Sequence, residues 1–177
     1  PLELCQLNNL KTLDLSHNQI THLPEEIQQL SSLRELILEE NKISYLSVGL
    51  CQLINLEKLD LRSNQLTNLP TQFRQLNDLK ELCLYGNRLA NLPLEVCQLS
   101  NLKILDLEEN QLTNLPIETS QMIHLEKFFL SYNNLTLLPV EMDQLINLKV
   151  LSLIGNRFST TDQERFKTSL PNCQIKI

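Results

Sequence analysis

An asparagine recurs every 23 residues along this chain. Its seven occurrences share their flanking residues, and they are Asn18, Asn41, Asn64, Asn87, Asn110, Asn133 and Asn156. From Leu10 onward each unit reads Leu-x-x-Leu-x-Leu-x-x-Asn-x-Leu-x-x-Leu-Pro-x-x-Ile-x-x-Leu-x-x, with few departures. A fixed period of this length indicates a repeat architecture, in which each unit packs against its neighbours. The chain is therefore predicted to stack seven units.

Each unit divides into two segments with different periods. At positions 4 to 6, as in Leu13-Asp14-Leu15, apolar and polar residues alternate, which predicts a short strand with inward-facing leucines. From the Leu-Pro pair onward, apolar residues recur every three positions, and proline is suited to the first position of a short helical or 3-10 turn. Neither segment buries a core alone, so we expect an α/β solenoid. It is a horseshoe with a concave parallel β-sheet and convex arms.

The asparagine column is predicted to be structural. It follows each strand where the backbone turns inside a crowded stack. An amide side chain can donate and accept at once, so it can pair backbone groups that would otherwise be buried without partners. We assign no ligand to these seven residues. In the second unit Ser47 replaces the proline and Gly49 follows it, which predicts a locally looser arm.

The two ends of the chain differ. Pro1 falls at position 15 of a unit, so the first residues are expected to be the second half of a repeat whose first half is missing, without an amino-terminal cap. At the other end, Thr161-Asp162-Gln163-Glu164 matches a capping box, which predicts a short helix over 165–169 and a final edge strand in 170–177. We therefore expect repeats over residues 1–158 and a carboxyl-terminal cap over residues 159–177.

These features resemble the leucine-rich-repeat proteins, and in particular the short ones of pathogenic spirochaetes of the Leptospira type. The resemblance rests on the 23-residue unit, on arms such as Leu92-Pro93-Leu94-Glu95-Val96, and on Glu164-Arg165-Phe166 followed by Leu170–Ile175. Ras-associated scaffold proteins of eukaryotes have a similar repeat. The resemblance implies a horseshoe that binds proteins and is often exported or exposed on the cell surface. It implies no catalytic residues.

Composition and charge exclude several other classes. The chain is 42% hydrophobic, too apolar for a disordered protein, yet it has no apolar run long enough to span a membrane. A net charge of −6 disfavours nucleic acids and anionic membranes as partners. No cofactor, metal or catalytic site is expected; His17 and Glu40 share a column, but a solvated histidine is the favoured reading over a metal ligand.

Five cysteines are expected to be free thiols. Cys5, Cys51 and Cys97 recur at one repeat position two rungs apart, a separation beyond the roughly 7 Å limit between Cα atoms for a disulfide. Cys83 lies in a strand and Cys173 in the cap, where neither has a cysteine to pair with. Free thiols favour a reducing compartment, in conflict with the export that the resemblance implies.

The strand-face columns at positions 3, 5, 7 and 8 are where a partner would be recognised, because the repeat does not require particular residues there. The first five rungs are mostly charged, with Glu35, Lys58 and Glu81 alternating in sign. The later rungs gather apolar and aromatic residues, typical of interaction hot spots. The predicted partner-binding residues are Tyr85, Ile104, Glu108, Phe129, Tyr132, Val150 and Ile154. Alternatively, these residues shield the end of the sheet, or the cap folds over them.

Three hypotheses of function follow. The first is a non-enzymatic protein-binding module, an exported or surface bacterial factor that engages host proteins through its concave face. The second is an intracellular, cytoplasmic signalling scaffold of the Ras-associated type, favoured by the free thiols. The third is an enzyme whose catalytic domain lies outside this chain. We also expect weak homodimerisation through the uncapped amino-terminal strand edge.

Overall fold

The computed structural model describes residues 2–177, which form one open sheet of eight parallel strands in chain order. Neighbouring repeat strands pair at an offset of 23 residues, as in Leu13 opposite Leu36. The predicted solenoid is confirmed. The strands are β1 (Thr12–Asp14), β2 (Glu35–Ile37), β3 (Lys58–Asp60), β4 (Glu81–Cys83), β5 (Ile104–Asp106), β6 (Lys127–Phe129), β7 (Val150–Ser152) and β8 (Gln174–Lys176).

A single short helical turn forms each arm. Helix α1 (Leu94–Cys97) is α-helical, whereas the other arms are 3-10 turns. The proline lies immediately before the turn instead of at its first residue, with Pro24 extended at φ −69° and ψ 157°. Pro1, which falls at the proline position of the first arm in the sequence, lies outside the described residues. The 3-10 turns span Leu2–Gln6, Glu25–Gln29, Val48–Gln52, Thr71–Gln75, Ile117–Gln121 and Val140–Gln144.

Leucines from successive units form one continuous core between the sheet and the arms. The structural role of the asparagine column is confirmed by its hydrogen bonds. The Asn64 amide donates to the carbonyl oxygens of Leu38 at 2.9 Å and Leu61 at 3.1 Å, and its side-chain oxygen accepts from the Ile43 N–H at 3.0 Å. Because one side chain joins two adjacent rungs in this way, the ladder holds the stack in register.

The arm of the second unit, Val48–Gln52, is tightly packed, so the prediction of a looser arm is wrong. Gly49 is buried, and a Cβ added there would lie 2.2 Å from the Glu25 carbonyl oxygen. The Gly49 N–H also donates to Glu25 Oε2 at 2.5 Å. The glycine therefore allows two arms to approach closely, and it does not loosen the backbone.

The cap consists of helix α2 (Thr160–Ser169) followed by β8. The helix begins earlier than expected, and its capping residue is Ser159, not Thr161. Ser159 Oγ accepts from the Asp162 N–H at 3.1 Å, and serine is preferred over threonine at this capping position. Phe166 of α2 packs edge-on against Phe158 with ring centroids 5.1 Å apart, which closes the last core layer.

Candidate functional site

The concave face of the sheet presents three columns of side chains at repeat positions 3, 5 and 7. Residues alternate between the two faces of a strand, so the central leucines enter the core and their neighbours face outward. Four outward positions are nevertheless buried: Asp60, Cys83, Ser131 and Ser152. Side chains on adjacent rungs, about 4.8 Å apart, cover one another there. Packing against neighbouring rungs therefore limits the side chains at these four positions, although their identity differs from rung to rung.

The seven candidate contact residues lie on β4 to β7 or just after these strands. Tyr132 is 57% exposed and Ile154 is 39% exposed. Helix α2 packs beside the last arm, where Arg165 Nη2 donates to the Leu138 carbonyl oxygen at 3.0 Å, and it leaves both residues uncovered. The other five candidates are half-buried: Tyr85, Ile104, Glu108, Phe129 and Val150.

An exposed lysine divides the candidates into two groups. Lys127 pairs in register with Ile104 on one side and with Val150 on the other, so these two apolar residues are two rungs apart. By contrast, Tyr132 and Ile154 are neighbours, with the Tyr132 N–H donating to the Ile154 carbonyl oxygen at 2.6 Å. We define the aromatic patch as Phe129, Tyr132 and Ile154. The sequence shows that Lys127 shares repeat position 3 with Ile104 and Val150, but it did not predict that the lysine separates these two candidates.

Position 8 of the repeat adopts a left-handed backbone, a constraint that sequence reasoning missed. The two glycines in this column, Gly86 and Gly155, have φ of 65° and 71° and were the available signal. Tyr132 has φ 56°, a costly conformation for a bulky side chain, and its ring lies against Gly155. Backbone strain at an exposed aromatic residue is a reason to examine it for function. The other non-glycine residues with positive φ in this column are His17, Glu40, Ser63 and Glu109.

The charges at the centre of the face form a closed cluster around Arg62. Its Nε donates to both carboxylate oxygens of the buried Asp60 at 3.0 Å, and its Nη2 donates to Glu39 Oε2 at 3.0 Å. The Asp60 hydrogen bonds, the largest upward cause, raise the pKa of Arg62 despite its partial burial. Beside this cluster, Lys58 Nζ lies 3.3 Å from Glu81 Oε1, whereas Glu35 makes no such contact within residues 2–177. Arg62 therefore fixes the side chains of Asp60 and Glu39 through these hydrogen bonds.

The fifth rung carries three acids without a basic partner. Within the described part of the chain, no lysine, arginine or histidine nitrogen lies within 4.0 Å of Asp106, Glu108 or Glu109. Burial raises the pKa of Asp106 to about 6, although the Glu108 N–H donates to its Oδ1 at 3.0 Å. A hydrogen bond to Glu109 raises the pKa of Tyr85. This rung therefore presents three acids that no basic side chain of residues 2–177 neutralises at ion-pair distance.

Other reactive groups are paired or buried. His17 Nδ1 lies 2.8 Å from Glu40 Oε2, and residues 2–177 contain no cluster of three side chains suited to hold a metal ion. The five cysteines are free thiols. Burial raises the pKa of Cys51 and Cys83 to about 12, which keeps these thiols protonated and unreactive. Among the described helices none has the length and apolar character needed to cross a membrane.

Comparisons with known proteins agree on the repeat. The sequence profile of the leucine rich repeat matches residues 5–43, 32–89 and 99–168. Among solved structures, the chain is similar to a leucine-rich-repeat protein of Leptospira interrogans, with 39% sequence identity, a TM-score of 0.80, and coverage of 100% of this chain and 51% of that chain. The resemblance to spirochaete proteins of this type is thereby confirmed. A comparison with curated proteins finds no match.

Two further structures share the fold. An internalin of Listeria monocytogenes has 23% identity and a TM-score of 0.85, with 99% of this chain and 49% of that chain covered. The ectodomain of an Arabidopsis thaliana membrane receptor kinase was solved in complex with Casparian strip integrity factor 2. It has 29% identity and a TM-score of 0.79, with 89% of this chain and 20% of that chain covered. The chain spans about half the length of the first two proteins.

Proposed function

Because the chain belongs to the leucine-rich-repeat family, we propose that it is a non-enzymatic module that binds a protein partner on its concave face. One observation carries the proposal: Tyr132 and Ile154 of the aromatic patch are exposed on this face beside the half-buried Phe129, although the repeat does not require them. Tyr132 holds a left-handed backbone that glycine occupies in two other rungs, and the cap leaves its ring 57% exposed. Large aromatic side chains of this kind supply much of the binding energy at protein interfaces.

The proposed setting is a bacterial factor, exported or held at the cell surface, that engages host proteins. The 39% identity to the Leptospira interrogans protein supports this setting, and so does the fold shared with an internalin. The Arabidopsis ectodomain supports protein binding in general, since its structure was solved in complex with another factor. A second candidate is an intracellular signalling scaffold, and the five free thiols favour it because reduced cysteines are typical of the cytosol.

The double variant Phe129→Ala/Tyr132→Ala tests the proposal. We expect it to abolish capture of a partner from host-cell extract, because it removes both rings of the aromatic patch. The melting temperature should change little, since Tyr132 is exposed and Phe129 is only half-buried. The measurements are affinity capture with mass spectrometry and thermal unfolding.

A matched control removes apolar area from the convex side. Ile117 and Val140 are 56% and 63% exposed on two adjacent arms, so Ile117→Ala/Val140→Ala deletes a comparable apolar surface away from the sheet. This control should retain the captured partner. If the control loses the partner and the aromatic-patch variant keeps it, the concave face is not the binding site. A large fall in melting temperature for Phe129→Ala/Tyr132→Ala would assign those rings to the fold.

A further inference from the structure

The fifth rung of the concave face carries three acids that have no basic partner within residues 2–177. In the second to fourth rungs, Arg62 pairs with Asp60 and Glu39, and Lys58 pairs with Glu81. The fifth rung presents Asp106, Glu108 and Glu109, and no basic nitrogen of residues 2–177 lies within ion-pair distance of them. Asp14 and Glu35 also lack an ion-pair partner among these residues, but only the fifth rung combines three such acids with aromatic residues on the adjacent rungs.

Each of these acids has an aromatic residue on an adjacent rung. Asp106 pairs in register with Phe129, Glu109 precedes Tyr132 by one repeat in the left-handed column, and Glu108 follows Tyr85 by one repeat. The rungs are about 4.8 Å apart, so each of these carboxylates lies one rung from an aromatic residue on the same face. Aromatic faces attract cations, and carboxylates form strong charge-assisted hydrogen bonds with them. The combination is complementary to a lysine or arginine side chain with its apolar stem.

Desolvation decides between a purely apolar partner and a basic one. A partner that covered the aromatic patch with apolar side chains alone would also cover Asp106 and Glu108, which are already half-buried. Burying an unpaired carboxylate further is costly, whereas a cation seated beside it offsets that cost. The free-energy balance therefore favours a partner that brings a positive charge to this rung.

Resting on the proposed function, we propose that the partner is a protein segment that presents a lysine or arginine to Asp106 and Glu108 and an apolar side chain to the aromatic patch. Asp106 and Ile154 are two rungs apart, about 9.6 Å. An extended segment advances about 3.3 Å per residue, so the basic and apolar residues should be separated by two or three positions.

Proton binding at the fifth rung gives this interaction a pH dependence. The pKa of Asp106 is raised by burial to about 6, so its carboxyl is largely protonated at about pH 5 and attracts a cation less than at about pH 7.5. We expect the basic segment to bind more weakly at the lower pH. The ionisable groups that face Asp106 from its own and the neighbouring strands are Asp60, Arg62, Glu81, Cys83, Tyr85, Glu108 and Lys127.

The test is selection from a displayed library of random dodecapeptides on the purified chain at about pH 7.5. We expect enriched peptides to carry lysine or arginine two or three positions from a large apolar residue. A peptide chosen from that pool should bind Asp106→Asn/Glu108→Gln at least about tenfold more weakly, the loss of one charge-assisted pair. Its affinity should also fall at about pH 5. The amide oxygen introduced by Asp106→Asn can still accept from the backbone N–H of residue 108, so folding is preserved.

Two further variants distinguish the possible outcomes: a matched charge control and the aromatic-patch variant Phe129→Ala/Tyr132→Ala. Asp78→Asn/Glu164→Gln neutralises two exposed acids away from the strands and should leave the affinity unchanged. If selected peptides depend on Phe129 and Tyr132 but show no basic residue, the inference fails while the concave-face proposal stands. If the selected peptides ignore Phe129→Ala/Tyr132→Ala, the proposed function fails. Equal loss in the control variant would mean that net charge alone attracts the peptide, which overturns the inference.

Discussion

Single side chains do most to join one rung of this protein to the next. Asn87 is buried between two rungs, where its oxygen accepts from the Leu66 N–H at 2.9 Å and its amide donates to the Leu61 and Leu84 carbonyl oxygens. An apolar residue of similar size would fill the space but pair none of these backbone groups. The asparagine is therefore required by its hydrogen bonds and not by its shape.

Replacing Asn87 by alanine should lower the free energy of unfolding by about 3 kcal/mol, because it leaves several buried backbone groups without partners. Urea denaturation measures the change. Asn91→Ala is the control, since Asn91 is exposed and its amide makes no hydrogen bond within residues 2–177. The control should change stability by less than about 0.5 kcal/mol. Equal losses in the two variants would contradict the ladder as the cause.

Asp106 makes the stability of the protein depend on pH. Burial raises its pKa from 3.8 to about 6, so the folded state binds the proton more tightly than the unfolded state does. The cost of the charged carboxyl is fully present above about pH 6 and is relieved as the pH falls toward about 4. The proton at this site thus stabilises the folded protein in acid.

The variant Asp106→Asn should be more stable than the wild type at about pH 7.5, by about 1 kcal/mol once solvent screening of a half-buried group is allowed for. The difference should disappear at about pH 4, where the folded wild type carries a protonated carboxyl and no longer bears the cost of the buried charge. Denaturation of both proteins at the two pH values measures it. Taking the difference cancels other carboxyls, such as Glu57, whose pKa is lowered by a hydrogen bond from Lys80. A variant less stable at the higher pH would contradict the prediction.

At the scale of the element, the arms begin with a similar backbone conformation even where the sequence or the type of turn differs. Ser47 occupies the position of the arm prolines with nearly the same backbone, φ −69° and ψ 153°, against −69° and 157° at Pro24. Its hydroxyl is buried and makes no hydrogen bond within the described residues. Helix α1 keeps the same proline but forms an α-helical turn. The residue at the proline position therefore has the same extended backbone where an arm begins, and the residues after it determine whether the turn is 3-10 or α-helical.

Ser47→Pro should raise the free energy of unfolding by about 1 kcal/mol, because proline restricts the unfolded chain and fits the native φ without strain. Removal of the unpaired hydroxyl adds to this gain. Gly49→Ala in the same arm should instead destabilise by about 1–3 kcal/mol, since its Cβ would meet the Glu25 carbonyl oxygen. Thermal or urea denaturation of the two variants gives both numbers. An alanine variant as stable as the wild type would restore the prediction of a loose arm.

At the scale of the whole molecule, the repeated columns of residues hold the fold together, and the variable columns provide the surface on which a partner would be recognised. The leucine and asparagine columns are uniform because every rung must bury the same core and pair the same backbone groups. The outer columns vary from rung to rung, and the variation places three acids without basic partners among residues 2–177 on the fifth rung and the aromatic patch on the sixth and seventh rungs. Pairing of two copies through β1 stays a prediction, as does the partner site itself.

The sequence by itself determined the repeat, the asparagine ladder, the presence of a cap and the strand of each unit to within one residue, since the strand predicted over residues 13–15 spans Thr12–Asp14. Each of these follows from a pattern that recurs at a fixed interval or from a local signal. The tertiary structure decided the left-handed column at Tyr132, the ion cluster of Arg62 with the buried Asp60, the close approach at Gly49 and the burial of Asp106 on the fifth rung. These features depend on how side chains of different rungs fill the space between strands. The sequence gives the order of the residues but not which side chains are in contact.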